Sequence, residues 1–157
     1  MTEIPSLVTD LSSPIIKVRR DAVAKLGRSY NAAAVMPLVR ALNDVHPSVR
    51  RDATRALGKL DDDRAIPGLI AALTDSDPDV RAGSVAALGR LKDRCAVVPL
   101  IQLLTDRDDR IRAGAAEVLG KFGDSSAIGA LTRAAVDPFE DVRDAASRAL
   151  NKLNKRK

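Results

Sequence analysis

Residues 44–58 read DVHPSVRRDATRALG, and most of this stretch recurs along the whole chain. Its kernel is Val-Arg-x-x-Ala-x-x-x-Leu-Gly, which occurs five times with occasional substitutions. The five copies begin 31 residues apart, at Val18, Val49, Val80, Ile111 and Val142. A constant period of this length is typical of repeat proteins, in which each repeat buries its apolar face against the next.

Each 31-residue repeat contains two segments with the apolar spacing of a helix. In the first segment apolar residues recur at i, i+3 and i+7, as at Ile4, Leu7 and Leu11. In the second segment the Val, Ala and Leu of the kernel share one face. We therefore predict an all-α fold, a right-handed α-solenoid of five antiparallel helix pairs. The expected repeats are 1–28, 29–59, 60–90, 91–121 and 122–153, within a single domain over 1–157 that ends in a basic tail at 154–157.

Residues at one equivalent position of successive repeats form what we call a column. Two such columns mark the expected helix ends. An Asn or Asp precedes the first helix of four repeats, where its side chain is suited to capping the helix N-terminus. These residues are Asn31, Asp62, Asp93 and Asp124. The glycine that ends the kernel is expected to take the left-handed conformation that terminates many helices. This column is Gly27, Gly58, Gly89 and Gly120, with Asn151 in the fifth repeat.

The longer pattern Asp-x-x-Pro-x-Val-Arg-x-x-Ala-x-x-x-Leu-Gly is complete over 44–58 and recurs over 75–89 with Ser84 for the alanine. It resembles HEAT-like repeats, in particular the short type named after phycobilisome lyases. The resemblance implies that the second helices line a concave face. It does not specify one function, since similar repeats occur in scaffolds, lyase subunits, DNA-repair enzymes and a hydroxylase. The hydroxylases use His-Glu pairs, which this sequence lacks.

Two charged columns accompany the kernel. We predict that they form a structural ladder of charge-assisted hydrogen bonds between repeats, because a feature repeated in every unit serves the repeated interface. The ladder residues are Asp44, Asp75, Asp106, Asp137, Arg50, Arg81, Arg112 and Arg143, with Arg19 at the same position in the first repeat. The alternative is a row of arginines for phosphate groups.

A third column is basic and lies just after the kernel. It consists of Arg28, Lys59, Arg90, Lys121 and Lys152. These residues are expected just past the C-terminal ends of the second helices, where cations favour the helix dipole. The functional alternative is a basic rim along one edge of the molecule.

The positions two and six residues after each kernel start lie opposite the buried face, so they are free to recognise a partner. The predicted partner-binding residues on this concave face are Arg20, Arg51, Arg55, Ala82, Ala86, Ala113, Glu117 and Arg148. Arg51 and Arg55 would form a basic clamp beside an apolar floor of alanines. Gly83 and Gly114 nearby indicate close approach, either of a neighbouring helix or of a partner helix.

Composition argues against several classes of chemistry. One histidine, His46, and one cysteine, Cys95, exclude an intrachain disulfide and a site with several histidine ligands. Cys95 is expected to be half-buried, with Arg94 able to lower its pKa. The first residues lack the features of a secretion signal, and no apolar run is long enough for a membrane span. We therefore expect a cytoplasmic protein with no metal, cofactor or catalytic residue.

Charge and residue pattern favour a non-enzymatic protein-interaction scaffold. Its partner is expected to be an acidic or helical protein segment, and the chain itself a monomer or weakly self-associating. The net charge is +5, and four of these charges come from the C-terminal residues, which leaves about +1 (5 − 4) for the body. Binding to a nucleic-acid phosphate backbone is the alternative from another class. A bilin lyase-like subunit that needs a partner is a third, implied only by the resemblance.

Overall fold

The structure, a computed structural model, describes residues 4–155, and all its regular elements there are helical. Arg156 and Lys157 of the predicted basic tail lie outside the described residues. The chain divides into two compact units, an N-terminal unit up to Leu91 and a C-terminal unit from Lys92. Within the described part, no helix is long and apolar enough to cross a membrane.

The N-terminal unit contains three helix pairs. Its helices are α1 (Ile4–Asp10), α2 (Ile16–Arg28), α3 (Val35–Ala41), α4 (Pro47–Leu60), α5 (Ile66–Ala72) and α6 (Pro78–Leu91). A single 3-10 turn leads into α3 and another into α5. The longer second helices pack side by side, α2 against α4 and α4 against α6, and each shorter first helix packs on the second helix of its own pair.

The C-terminal unit contains two pairs built in the same way. Its helices are α7 (Val97–Gln102), α8 (Asp109–Phe122), α9 (Ile128–Ala134) and α10 (Glu140–Asn154). Helices α8 and α10 form the main contact of the unit, and α9 packs on α10. The predicted all-α repeat of helix pairs is confirmed in both units, whereas a single domain over the five repeats stays a prediction.

The core consists of the apolar columns of Leu, Val, Ile and Ala, and the buried polar residues of the described chain are Arg19, Thr54, Arg81 and Ser84. The leucines of the first helices are buried at every repeat: Leu7, Leu38, Leu69, Leu100 and Leu131. The kernel leucines Leu26, Leu57, Leu88 and Leu119 are fully buried on the second helices. Because Ala and Val fill the space between them, neighbouring helices come close together, which explains how a chain with 2% aromatic residues builds a core.

The predicted caps are confirmed at the first helices. Each of the four capping side chains accepts a hydrogen bond from the backbone N–H two residues later, in the 3-10 turn that starts the helix. Side chains cap three of the second helices, α4, α6 and α8: Asp77, for example, accepts hydrogen bonds from the backbone N–H groups of Asp79 and Val80. His46 caps α4 in the same way, accepting from the N–H of Ser48. At α2 and α10 the capping positions are held by Ile15 and Phe139, whose side chains form no such bond.

The predicted left-handed glycines are wrong. The kernel glycines and Asn151 lie inside their helices, which continue for at least one further residue. Among residues 4–155, the left-handed conformation occurs instead at Tyr30, Asp61, Lys92 and Gly123, with φ of 49°, 51°, 57° and 73°. The kernel glycines serve close packing: a Cβ on Gly58 would lie 3.1 Å from Ala87 Cβ on the next second helix. The basic column consequently lies within the last turn of each second helix and not past its end.

Candidate partner-binding face

The residues predicted to bind a partner lie on the second helices of both units. In the N-terminal unit, Arg20 is on α2, Arg51 and Arg55 are on α4, and Ala82 and Ala86 are on α6. Arg20, Arg55 and Ala86 are exposed, and Arg51 and Ala82 are half-buried. All five are therefore surface residues of one unit.

In the C-terminal unit, the remaining predicted residues lie on two neighbouring helices. Ala113 and Glu117 are on α8, and Arg148 is on α10. The Glu117 and Arg148 side chains approach to 3.7 Å and are each more than half exposed. An ion pair this exposed contributes little to stability, so both groups stay available to a ligand.

Two adjoining grooves run between the second helices of the N-terminal unit. The first has a volume of about 180 Å³, between α2 and α4, and is lined by Ala24, Gly27, Arg28, Asp52, Arg55, Ala56 and Lys59. The second has a volume of about 280 Å³, between α4 and α6, and is lined by Thr54, Arg55, Gly58, Lys59, Gly83, Ala86, Ala87 and Arg90. Arg55 and Lys59 belong to both. The grooves have floors of glycine and alanine and cationic edges.

The C-terminal unit has a third groove of the same kind, between α8 and α10. Its volume is about 220 Å³, and its lining residues are Glu117, Lys121, Ala145, Arg148, Ala149 and Lys152. The last-turn cations Lys121 and Lys152 and the predicted residues Glu117 and Arg148 therefore meet at one surface. In each unit, residues of the basic column, which were expected mainly to favour the helix dipole, therefore line the same grooves as residues of the predicted face.

The proposed basic clamp carries less free charge than its sequence indicates. Asp52 lies 2.7 Å from Arg20, 3.7 Å from Arg55 and 3.8 Å from Arg51. Arg51 also lies 3.6 Å from Asp79, and its buried Nε finds no hydrogen-bond acceptor among the described residues. Arg55, whose side chain is 65% exposed, is the arginine of the pair that faces solvent.

Asp52 is not among the site residues predicted from the sequence. Its side chain is 17% exposed, and it orders the arginines around it. A signal was present, because Asp52 precedes Arg55 by three residues on one helix and such pairs lie on the same face. The pairing with Arg20, 32 residues away, depends on how α2 and α4 pack and has no local signal.

Gly83 packs against the neighbouring helix. A Cβ at this position would collide with the Thr54 hydroxyl and lie 3.1 Å from the Thr54 Cβ. Thr54 is fully buried, and its hydroxyl donates a hydrogen bond to the Arg51 carbonyl. Close packing of α6 on α4 therefore explains this glycine without a partner helix. Gly83 and Thr54 both line the second groove, so Gly83 still contributes to its floor.

The charged columns are joined by paired hydrogen bonds between successive repeats. Arg19 Nε and Nη2 donate to Asp44 at 2.7 and 2.9 Å, and Arg50 donates to Asp75 at 2.7 and 2.8 Å. Arg112 donates to Asp137 at 2.8 and 2.9 Å. The side chains of these pairs are at most 13% exposed, so they offer little surface to a phosphate group.

Each arginine of the column also holds the turn before its own helix. Its Nη1 donates to the backbone carbonyl six residues earlier, at 2.8–2.9 Å. Arg81 donates in this way to the Asp75 carbonyl, and Arg143 to the Asp137 carbonyl. The Asp106 carboxylate accepts a hydrogen bond from the backbone N–H of Asp108. These contacts satisfy backbone groups that a tight turn would otherwise leave without partners.

Three of the ladder carboxylates, those of Asp44, Asp75 and Asp137, have lowered pKa values. For Asp44 and Asp75 partial burial raises the pKa, but hydrogen bonds from the partner arginine and from a backbone N–H lower it by more. The pKa of Asp137 is lowered chiefly by its hydrogen bonds from Arg112. All three are therefore charged at neutral pH and are held so by the fold.

Cys95 differs from its expectation in two ways. The side chain is exposed and not half-buried. Its pKa is raised, chiefly by the hydrogen bond to Asp93, so Arg94 does not activate the thiol. Within residues 4–155, no group of three or more His, Cys, Asp or Glu side chains is arranged to hold a metal ion.

The sequence profile of HEAT repeats matches residues 4–76 and 66–151, which together cover most of the chain. This chain belongs to the HEAT-repeat family. The architecture described above, with paired helices, close glycine contacts and an aspartate–arginine ladder, is thus a set of HEAT repeats. A comparison with curated proteins gave no significant match.

Among solved structures, these HEAT repeats are similar to the complex of CpcE and CpcF of phycocyanin lyase from Nostoc sp. PCC7120. The identity is 30% and the TM-score 0.83, over 99% of this chain and 66% of that chain. A computationally designed armadillo repeat protein for modular peptide recognition is 22% identical, with a TM-score of 0.71; the match covers 96% of this chain and 82% of that chain. Human deoxyhypusine hydroxylase is 17% identical, with a TM-score of 0.55; the match covers 97% of this chain and 84% of that chain. The last two show a shared fold only.

Proposed function

We propose that this HEAT-repeat protein is a non-enzymatic interaction module that binds a protein segment along its second helices. The observation that carries the proposal is the pair of adjoining grooves in the N-terminal unit. Their floors are apolar and rigid, because close-packed helix backbones form them at Gly27 and Gly58. Their edges carry Arg55 and Lys59, which supply charged hydrogen-bond donors.

Side chains of a protein partner suit these grooves better than nucleotide bases do. A floor of glycine and alanine accepts small apolar groups, and the helices on either side are already ordered, so binding costs little conformational entropy. No aromatic residue lines either groove to stack on a base. Acidic Asp52 at the centre of the arginines also opposes a continuous phosphate backbone.

Two similar structures support a protein partner. The phycocyanin lyase structure is a complex of two proteins, CpcE and CpcF. A designed armadillo repeat protein, 22% identical with a TM-score of 0.73, is in complex with the charged peptide (KR)4. A helical repeat of this architecture can thus present a surface to a charged peptide.

The test is affinity capture with a matched pair of charge reversals. Tagged wild type, Arg55→Glu and Arg40→Glu are incubated with lysate of the source organism, and the bound proteins are quantified by mass spectrometry. Arg55 lies in both grooves, whereas Arg40 is an exposed residue of first helix α3. We expect at least one protein to be retained by wild type and Arg40→Glu and lost with Arg55→Glu. Identical bound sets for the three proteins would overturn the proposal.

A lyase subunit that acts with a partner is a second candidate, and the 30% identity to the CpcE–CpcF complex is the observation that favours it. The test mixes the purified chain with CpcE or with CpcF, a bilin and the phycocyanin apoprotein. Covalent pigment attachment, measured as zinc-enhanced fluorescence on a denaturing gel, would support this role. Absence of attachment with either subunit would leave the interaction module as the function.

A further inference from the structure

We infer that the two adjoining grooves bind an acidic segment in the polyproline II conformation, with a carboxylate at every third residue. This inference rests on the proposed function and specifies its partner. The binding groups are the last-turn cations Arg28, Lys59 and Arg90, together with Arg55.

The three last-turn cations form a regular row. They occupy equivalent positions on α2, α4 and α6, and each lies in the last turn of its helix. All three are exposed, and among residues 4–155 none of them forms an ion pair. Their charges are therefore available, unlike those of Arg20 and Arg51, which lie close to Asp52.

The spacing of the row follows from helix packing. Packed helices have axes roughly 8–10 Å apart. Close approach of backbone to backbone, as at Gly27 and Ala56, places this unit toward the lower part of that range. A ligand that uses every cation in turn must offer an anionic group about every 8–10 Å along one side.

Polyproline II geometry meets this requirement. It has three residues per turn and rises about 3.1 Å per residue, so every third side chain lies on one side at intervals of about 9.3 Å. A β-strand places same-side residues about 6.6 or 13 Å apart. An α-helix rises about 1.5 Å per residue, so its same-face residues lie about 6 Å apart at i, i+4 and about 10.5 Å apart at i, i+7, outside the interval of about 8–10 Å.

Charge selects an acidic ligand. The residues that line the two grooves include the cations Arg28, Arg55, Lys59 and Arg90, and among those lining residues Asp52 alone is acidic. The negative end of each helix dipole disfavours an anion at this end. Carboxylates are therefore expected to contact the cationic side-chain tips, away from the helix carbonyls, while the residues between them lie over the Gly/Ala floor.

The test uses fluorescence anisotropy with labelled synthetic probes at low salt, where exposed charges are least screened. One peptide contains three copies of Glu-Pro-Pro, and its isomer has the same composition with three adjacent glutamates. A nine-nucleotide oligothymidylate is the third probe. We expect the spaced peptide to bind about tenfold more tightly than its isomer, which corresponds to about 1.4 kcal/mol.

Three variants separate charge recognition from folding. Lys59→Glu is expected to weaken binding of the spaced peptide about tenfold, and Arg40→Glu to change it less than about twofold, because one charge is in the grooves and the other on a first helix. Asp52→Asn is expected to raise the affinity about two- to threefold, since it removes the one carboxylate that competes for Arg55. A gain in affinity cannot result from misfolding.

The inference is wrong if both peptides bind alike, or if Asp52→Asn weakens the spaced peptide. It is also wrong if oligothymidylate binds more tightly than either peptide and loses its affinity with Lys59→Glu, which would assign the row to nucleic acid. The capture experiment could also identify a partner whose binding depends on Arg55 while neither peptide binds. In that case the proposed interaction module is supported, and only the inference of an acidic polyproline II ligand is wrong.

Discussion

Gly27 on α2 lies so close to Ala56 on α4 that a methyl group on the glycine would come 2.7 Å from the alanine Cβ and 3.0 Å from its Cα. The same relation recurs between Gly58 and Ala87 and between Gly120 and Ala149. Since backbone atoms are involved, the neighbouring helix itself limits the space. These pairs therefore set the separation of the second helices, and with it the width of the grooves.

Gly120→Ala is expected to destabilise the protein by about 1–2 kcal/mol. Overpacking usually costs about 1–3 kcal/mol, a clash with backbone atoms lies in the upper part of that range at about 2–3 kcal/mol, and a gain in helix propensity of about 1 kcal/mol offsets part of the cost. A Cβ there would lie 2.8 Å from both the Cα and the Cβ of Ala149. Urea unfolding followed by circular dichroism measures the change.

The matched control for this substitution is Gly129→Ala on α9. The nearest atom to a Cβ at Gly129 is an Arg133 guanidinium nitrogen 4.0 Å away. Stability should therefore rise by about 0.4–1 kcal/mol through the reduced entropy of the unfolded chain. If both glycines respond alike, close packing does not explain the kernel glycine.

Arg50→Ala is expected to destabilise the protein by about 2–3 kcal/mol, because it leaves the Asp75 carboxylate without its paired hydrogen bonds in a site that is 12% exposed. Arg110→Ala provides the control. Arg110 contacts Asp108 at 2.8 Å, but its side chain is 64% exposed, so the loss should stay below about 1 kcal/mol. Equal losses in thermal unfolding would show that the ladder adds nothing beyond a surface ion pair.

The ladder also predicts how stability depends on pH. The folded-state pKa values of Asp44, Asp75 and Asp137 lie below the unfolded value of about 3.9. Their contribution is then fully present above about pH 4 and is lost as the pH falls through the folded values. Outside the ladder, hydrogen bonds from Arg64 lower the pKa of Asp62 to about 2, so this carboxylate also loses its contribution to stability as the pH falls below about 4.

Urea unfolding at pH 7, 5, 4 and 3 should therefore give nearly constant stability down to about pH 4 and a fall below it. Asp75→Asn serves as the comparison variant. It should be less stable at pH 7 and lose less between pH 4 and pH 3, because one carboxylate that must be protonated has been removed. A steeper acid loss in the variant would contradict the assignment.

The helix pairs were predictable because burial follows the helical period directly: the columns of Leu38 and Leu57 are apolar at every repeat, and all of their leucines except the half-buried Leu150 are buried. The role of Gly27 was not predictable in the same way. A glycine near a helix end suits both a left-handed terminus and a close contact, and only the neighbouring helix, 29 residues further on, decides between them.

The candidate face also has features that residue spacing predicts and features that only helix packing determines. Periodicity correctly placed Arg51 and Arg55 on the surface of α4, because direction around a helix follows from residue spacing. Their electrostatic state depends on Asp52, which residue spacing on α4 already places near Arg55, and on Asp79 in the next repeat, which only helix packing brings within 4 Å of Arg51. A charge count over the sequence cannot supply these pairings.

Tyr30 offers the clearest route to a more stable protein. It has φ of 49° and is 81% exposed, and Gly123, directly after α8, occupies the equivalent position of its repeat without a Cβ penalty. A left-handed residue with a Cβ costs about 1–2 kcal/mol, and glycine removes this strain. Because glycine loses more backbone entropy on folding than other residues, part of the gain is offset, and Tyr30→Gly should stabilise the protein by about 0.5–1 kcal/mol. Tyr30→Ala keeps the Cβ and should give no gain in the same urea titration. Equal gains from both variants would mean that removal of the exposed ring, and not relief of the backbone, is the cause.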